Sequence, residues 1–433
     1  MIISAYSFVL QGLTVCNCRQ KKDLIEGDDM NKSIVVEKLF YDKSVPGVSR
    51  VCADVDGDIL WYESPDTELV ISPEAFANAL LGPAMSIGRD IVFEDPLCPV
   101  WLKNIPKVIE QYSKWFGWKK IKIESGSNDA PITKTGKLRA LCFSGGVDSF
   151  YSLLTYPQPI DKLIMVHGYD IDINDTDGGR LAYDHVKPVA AAKGIDAVIL
   201  KTNLREHHIA GRKYRYTYGG ALAAAGFLVS GVNELIISSG FRYDEAQPDG
   251  SNWELDPLRS STEVKIIHYG AELIRDDKLR TIAQNPLLKK HLHVCQQNIR
   301  GTFEISGGFL NCGLCIKCNR TLMVLQQEGI LDEIEGFTNK KNLDVYLYNT
   351  PLVGEYLFKA YDEIIRRGVN KRTELSIRAL IRRSRILPKF KWAGKKGQKV
   401  VSALLKIYDK IERKLFLYVL HSTDHTALKD IYE

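Results

Sequence analysis

"LCFSGGVDSFYSLL", residues 141–154, sets Ser144-Gly145-Gly146 between an apolar run that ends at Phe143 and another that resumes past Asp148 and Ser149. The first run reads as a buried strand and the second as the start of a helix. Two glycines permit backbone conformations and close approaches that other residues resist. The first turn of the helix adds N–H groups without intrahelical partners and the positive end of its dipole. Ser144 and Ser149 add hydroxyls, and Asp148 offers a carboxylate suited to the Mg²⁺ that accompanies a nucleotide. A plain tight turn needs no such set, so the stretch predicts a phosphate-binding loop. The chain has neither the lysine of a Gly-x-x-x-x-Gly-Lys-Ser/Thr loop here nor a Gly-x-Gly-x-x-Gly, which disfavours a nicotinamide dehydrogenase.

Working outward, the strands expected are LRALCF, KLIMVHG, DAVILKT and ELIISSG, with helices near 147–155, 181–193 and 218–231. Near-continuous apolar strands alternating with helices predict an α/β fold built on a doubly wound parallel sheet. In such folds ligands lie beyond the carboxyl ends of the strands, where Ser144 to Ser149 falls. Before this core, residues 30–130 read as a small α/β domain. VCADVDGDILWYES alternates around Asp56-Gly57, a hairpin signature. SPEAFANALL offers Ser72 as helix N-cap and Pro73 at the first helical position, and WLKNIPKVIEQYSKWFGW supplies a further helix. ESGSNDAPITKTGK (124–137) is the expected linker to a core spanning 135–340. Residues 1–29 form an uncertain leader, Met30 being a second candidate start.

The chain has 433 residues, 45% apolar and 26% charged, the balance of an ordinary water-soluble protein of two or three domains. No apolar stretch reaches the roughly 20 residues of a membrane-spanning helix. Nine cysteines are too few for a disulfide scaffold, and three of them are bunched, pointing to a metal in a reducing, cytoplasmic setting. Between Arg366 and Lys414 there are seventeen Lys or Arg against three acidic residues. The formal +5 of the whole chain therefore conceals a mildly acidic remainder. That basic region, 341–433, is expected to be helical up to Pro388, with Leu375, Ala379 and Leu380 inward. It could grip nucleic-acid phosphates, rest on an anionic membrane, or form a solvated face.

Ser144-Gly145-Gly146-Val147-Asp148-Ser149 resembles the Ser-Gly-Gly-x-Asp-Ser signature of the PP-loop ATP pyrophosphatases. The resemblance implies that these six residues bind ATP, and that a substrate oxygen attacks its α-phosphate to give an adenylate and pyrophosphate. CGLCIKC places Cys312, Cys315 and Cys318 at Cys-x-x-Cys-x-x-Cys spacing, and Cys295 in HLHVCQQN is the nearest remaining thiol. Four thiolates suit a closed, structural Zn²⁺ site, and also an iron–sulfur cluster. A PP-loop core followed by one cysteine and such a triplet resembles 7-cyano-7-deazaguanine synthase over roughly residues 138 to 330.

That resemblance implies Zn²⁺ on Cys295, Cys312, Cys315 and Cys318, and matches a basic stretch of the family to Ala210-Gly211-Arg212-Lys213. Its substrate-pocket Asp and Arg correspond to Asp256 and Arg259, although Pro257 and Leu258 stand where the family has a single Cys. The departure implies a different acceptor. His167, at the end of the second strand, is either a nucleotide contact or a structural edge histidine. His207 and His208 beside Arg212 could meet an anion or form a surface turn. The reading is an AMP-forming ligase that activates a carboxylate (small molecule or peptide) for capture by ammonia or an amine. A tRNA-modifying enzyme and an ATP-sensing module are the alternatives, and a homo-oligomer is left open.

Overall fold

The computed structural model describes residues 32–126, 136–245, 247–295, 310–340 and 357–386, with separate positions between 343 and 354 and between 397 and 414. In chain order the strands and helices begin with β1 (Ile34–Tyr41), β2 (Ser49–Val55), β3 (Asp58–Ser64), α1 (Pro73–Ile87), β4 (Ile91–Pro96), α2 (Pro99–Phe116) and β5 (Ile123–Gly126). The central part runs β6 (Leu138–Cys142), α3 (Val147–Thr155), β7 (Lys162–His167), α4 (Thr176–Lys193), β8 (Asp196–Thr202), α5 (Tyr214–Leu228), β9 (Val232–Ser238) and β10 (Lys265–Tyr269). Then come α6 (Arg275–Ile282), α7 (Pro286–His291), α8 (Ile316–Gln327), α9 (Phe358–Arg366) and α10 (Lys371–Ile386).

All ten strands join one sheet in the order β10-β9-β6-β7-β8-β3-β2-β1-β4-β5. The five strands β10, β9, β6, β7 and β8 are mutually parallel. Their order is that of a doubly wound half-sheet, with the direction of winding reversing between β6 and β9. The sheet as a whole is mostly rather than wholly parallel, because the β1–β3 meander is antiparallel and β3 joins β8 antiparallel at Tyr62↔Thr202. The hairpin expected at Asp56-Gly57 is present, both residues holding positive φ (54° and 82°), as a tight two-residue turn requires.

The units expected at 30–130 and 135–340 share this sheet and also a core. Phe76, Leu80 and Trp101 of the first belong to the same buried cluster as Leu200, Phe227 and Leu235 of the second. Each such side chain contributes ~1.5–3 kcal/mol relative to exposure. The close contact of α1 with α5 depends on glycine at two places. A Cβ on Gly82 would come within 2.6 Å of Thr217, and one on Gly220 within 2.1 Å of the Asn78 carbonyl. The segment expected as linker begins instead as the edge strand β5, paired with β4.

Three local expectations change. Ser72 precedes α1, but its hydroxyl donates to Glu74 rather than capping the helix. The helix expected across RRGVN is two helices, because Gly368 at φ 99° breaks it between α9 and α10. Ala379 and Leu380 are buried as expected, whereas Leu375 is half-buried. The leader 1–29 lies outside the described residues. Among the described residues no helix is long and apolar enough to cross a membrane.

Candidate phosphate loop and metal centre

The loop after β6 lies where the winding reverses, the place where doubly wound sheets open a crevice for ligands. Phe143 extends the β6 ladder by donating to Ile164, and α3 begins at Val147 with Gly146 as its N-cap. Gly145 holds φ 74°, the left-handed region that glycine enters without strain. The loop is buttressed from outside by the His293 backbone, whose N–H donates to the Gly145 carbonyl at 2.8 Å. A Cβ on Gly145 would lie 3.4 Å from that of His293.

Of the six loop residues, Val147 buries its side chain, so only its backbone faces the mouth. The Ser149 hydroxyl, expected to meet phosphate, instead donates to the Gly146 carbonyl at 3.0 Å and closes the first turn. Ser144 is exposed, and its Oγ accepts a long bond from the Gly146 N–H at 3.4 Å.

Asp148 has company that the sequence did not announce. Its Oδ2 accepts from Arg275 Nε at 2.9 Å and from Arg275 Nη2, and its Oδ1 from Lys278 Nζ at 3.3 Å. Both cations come from the first turn of α6. Lys278 is almost fully buried and also donates to the Ser239 carbonyl at 2.7 Å, which ties the loop to the end of β9. Burial pushes the Asp148 carboxyl up, but the charges of Arg275 and Lys278 outweigh it and hold the group below its ordinary value. Burial lowers Lys278 in spite of Asp148. Lys317, on α8, is lowered by burial and then by Arg275, while Asp170 and Asp148 pull it back. Two cations thus converge on one carboxylate, an excess that suits a polyanion.

The four cysteines come together. Cys295, Cys312, Cys315 and Cys318 are buried, and their Sγ atoms all lie within 4.8 Å of one another. Thiolates ~2.3 Å from a tetrahedral ion stand about 4 Å apart, so one ion fits; a cluster of several irons would spread them further. Backbone N–H groups point at the sulfurs: Leu314 and Cys315 to Cys312 at 3.3 Å, and Cys318 to Cys315 at 3.5 Å. Gly313, at φ 66°, makes the turn between Cys312 and Cys315. The Asn311 side chain accepts from Val294 and donates to the Leu292 carbonyl, each at 2.7 Å, stitching the Cys295 segment to the triplet. Accepting from the other three thiols holds Cys295 far below an ordinary thiol.

This centre is also wired to the loop. His293, which supports Gly145, stands two residues before Cys295, and Lys317 stands between Cys315 and Cys318.

The other expected site residues lie elsewhere. His167 ends β7 beside the loop, but its Nε2 meets the Asp172 carbonyl at 2.7 Å and its ring fills the space over Gly179. Arg212 lines a groove with Lys32, Asp56, Arg89 and His208, across the sheet beyond β3. Asp256 and Arg259 are buried in the turn Asp256–Arg259, on the face carrying α5. Asp256 Oδ2 pairs with His268 at 2.7 Å and with Ser251, and Arg259 Nη2 donates to the Tyr112 hydroxyl at 2.7 Å. Asp256 Oδ1 and Arg259 Nε and Nη1 have no protein partner among the described residues.

A second cluster, Asp58 with His207 and His208, does not suit a metal. His207 Nδ1 accepts from the Ile209 and Ala210 N–H groups, which puts the neutral ring's proton on Nε2, facing Asp58. Burial lowers the His207 pKa and keeps that neutral form. A protonated nitrogen is not a ligand.

Compared with family models, curated proteins and solved structures, the chain matches none. Sequence reading missed Arg275, Lys278, His293 and Lys317. Only Lys317 carried a signal, standing inside the metal triplet; the first two are ordinary helix-surface spacing until the chain folds.

Proposed function

We propose that the protein is an ATP-dependent, AMP-forming ligase that adenylates a carboxylate for capture by ammonia or an amine. The observation that carries this reading is the glycine loop at the winding reversal, with Arg275 and Lys278 on its carboxylate. The loop N–H groups and these cations would hold the β- and γ-phosphates. That leaves the α-phosphate open to in-line attack by a carboxylate oxygen. The new bond joins that oxygen to the α-phosphorus, and the bond to the β-phosphate oxygen breaks. Pyrophosphate leaves onto the cations. The amine nitrogen then attacks the acyl carbon, AMP departs with the former carboxylate oxygen, and a proton is lost from nitrogen.

Zn²⁺ would be held by Cys295, Cys312, Cys315 and Cys318, with no open position for chemistry; it supplies rigidity to the segments that present His293 and Lys317. Mg²⁺ arriving with the nucleotide would compete with Arg275 and Lys278 for Asp148, the loop carboxylate that fits it. Asp256 and Arg259, with atoms left unpaired, support a polar substrate on the α5 face. Against thiolation of a tRNA base stands Cys142, whose thiol burial pushes up to about 12, with the Asp256 charge adding to it. Such a thiol is a poor nucleophile at neutral pH.

The reading is tested by incubating the protein with ATP, carboxylates and hydroxylamine, and assaying pyrophosphate and hydroxamate. Release of pyrophosphate that depends on a carboxylate supports it. Tight ATP binding without turnover across a broad set of carboxylates favours the sensing module.

A further inference from the structure

Among the described residues, twelve large apolar side chains are exposed, and five of them fall between 400 and 411. Val400, Leu404, Ile407, Tyr408 and Ile411 are 60%, 61%, 54%, 55% and 52% exposed. The described positions from 397 to 414 are helical. Spacings of four, seven, eight and eleven residues put these five side chains on one face of such a helix. Soluble proteins rarely leave a contiguous apolar stripe of this kind in water without a use for it.

The chain around the stripe is cationic. Residues 395–414 contain seven Lys or Arg against two acidic residues. Lys410 and Lys414 are exposed. On the neighbouring α10, Arg378 and Arg385 are exposed too, and the Arg382 guanidinium sits 4.8 Å from the Tyr408 ring. An aliphatic stripe with a basic border matches one environment closely: the boundary of an anionic bilayer. There the apolar side chains enter the acyl region and the lysines meet the headgroups. Nucleic acid would use the cations but gain nothing from Val400, Leu404, Ile407 and Ile411, since bases stack on aromatic rings and Tyr408 is the one aromatic residue from 397 to 414.

We infer that the face bearing Val400, Leu404, Ile407 and Ile411 docks this protein on the surface of an anionic membrane. The inference is independent of the ligase reading, because it uses no residue of the loop or of the metal centre.

The full-length protein is mixed with phosphatidylcholine vesicles, with and without phosphatidylserine, and sedimented. Binding to the anionic vesicles alone, weakening as salt is raised, is expected. Leu404→Glu combined with Ile411→Glu should weaken binding by about a hundredfold. Lys410→Glu combined with Lys414→Glu should weaken it on anionic vesicles specifically. All four side chains are exposed, so melting temperature and zinc content should not change, and unchanged values show that the variants are folded. Three results would overturn the inference: no sedimentation with anionic vesicles, binding indifferent to the Leu404 and Ile411 pair, or a lipid-free dimer that the same pair splits. Duplex RNA binding that survives that pair, without vesicle binding, would assign the segment to nucleic acid instead.

Discussion

Replacing Asp148 with asparagine keeps the side chain's size but leaves Arg275 and Lys278 without their counter-charge. Asp148 is 16% exposed and Lys278 1%, whereas Arg275 is 35% exposed and partly screened. Breaking a fully buried pair destabilises by ~3–5 kcal/mol, and the access of Arg275 to water reduces this to about 2–4 kcal/mol. The effect depends on pH in a defined direction. In spite of burial, the charges of Arg275 and Lys278 depress the Asp148 pKa below the ordinary carboxylate value, so its stabilisation is fully present above that ordinary value and fades as pH falls through the folded one. Urea unfolding of wild type and Asp148→Asn at pH 7 should show the full gap, and the gap should close in the acid range below about 3.8. Adding Lys278→Met to Asp148→Asn should recover part of the loss, because it removes the buried cation left unpaired. Equal stability of wild type and Asp148→Asn at pH 7 would refute the ion-pair account of the loop.

Other outcomes follow from the same geometry. Gly145→Ala forces an L-residue to φ 74° against His293, and should destabilise by about 1–2 kcal/mol while reducing ATP turnover more than ATP-independent properties, measured by urea unfolding and pyrophosphate release. Elemental analysis should find one zinc per chain, and Cys312→Ser should weaken ATP binding as well as stability, because the ligand segments carry His293 and Lys317; calorimetric titration with ATP reads this directly. Ending the chain near residue 349 should unfold or deplete the metal centre, since Tyr361 and Ile364 are buried and Gln327 of α8 donates to the Ile364 carbonyl at 2.7 Å. Ending it after residue 386 should leave pyrophosphate release intact.

The strands and helices of the central half were legible because each is a local pattern. The apolar runs at 138, 162, 196 and 232 are buried parallel strands, and Gly145-Gly146 announces a turn whatever surrounds it. The cysteine cluster was legible for the same reason, its spacing being short. The joint between β3 and β8 was not, since its two residue pairs, Tyr62↔Thr202 and Glu63↔Lys201, lie far apart in the chain and leave no trace in composition. Arg275 and Lys278 were invisible for a related reason: they look like solvated helix residues until α6 packs on α3. Ser149 was read as a phosphate contact, and His167 as either a nucleotide contact or a structural edge histidine, from position alone. The backbone carbonyls that take up their hydrogen bonds, Gly146 and Asp172, became visible only in the fold.

The bond that is cleaved in ATP remains the most direct measurement. With a carboxylate substrate, ATP labelled at the α- and γ-phosphates should yield labelled AMP and labelled pyrophosphate in equal amounts, and both should fall together in Lys278→Met. ADP and inorganic phosphate as the only labelled products would contradict a loop that grips the β- and γ-phosphates and leaves the α-phosphate open to attack.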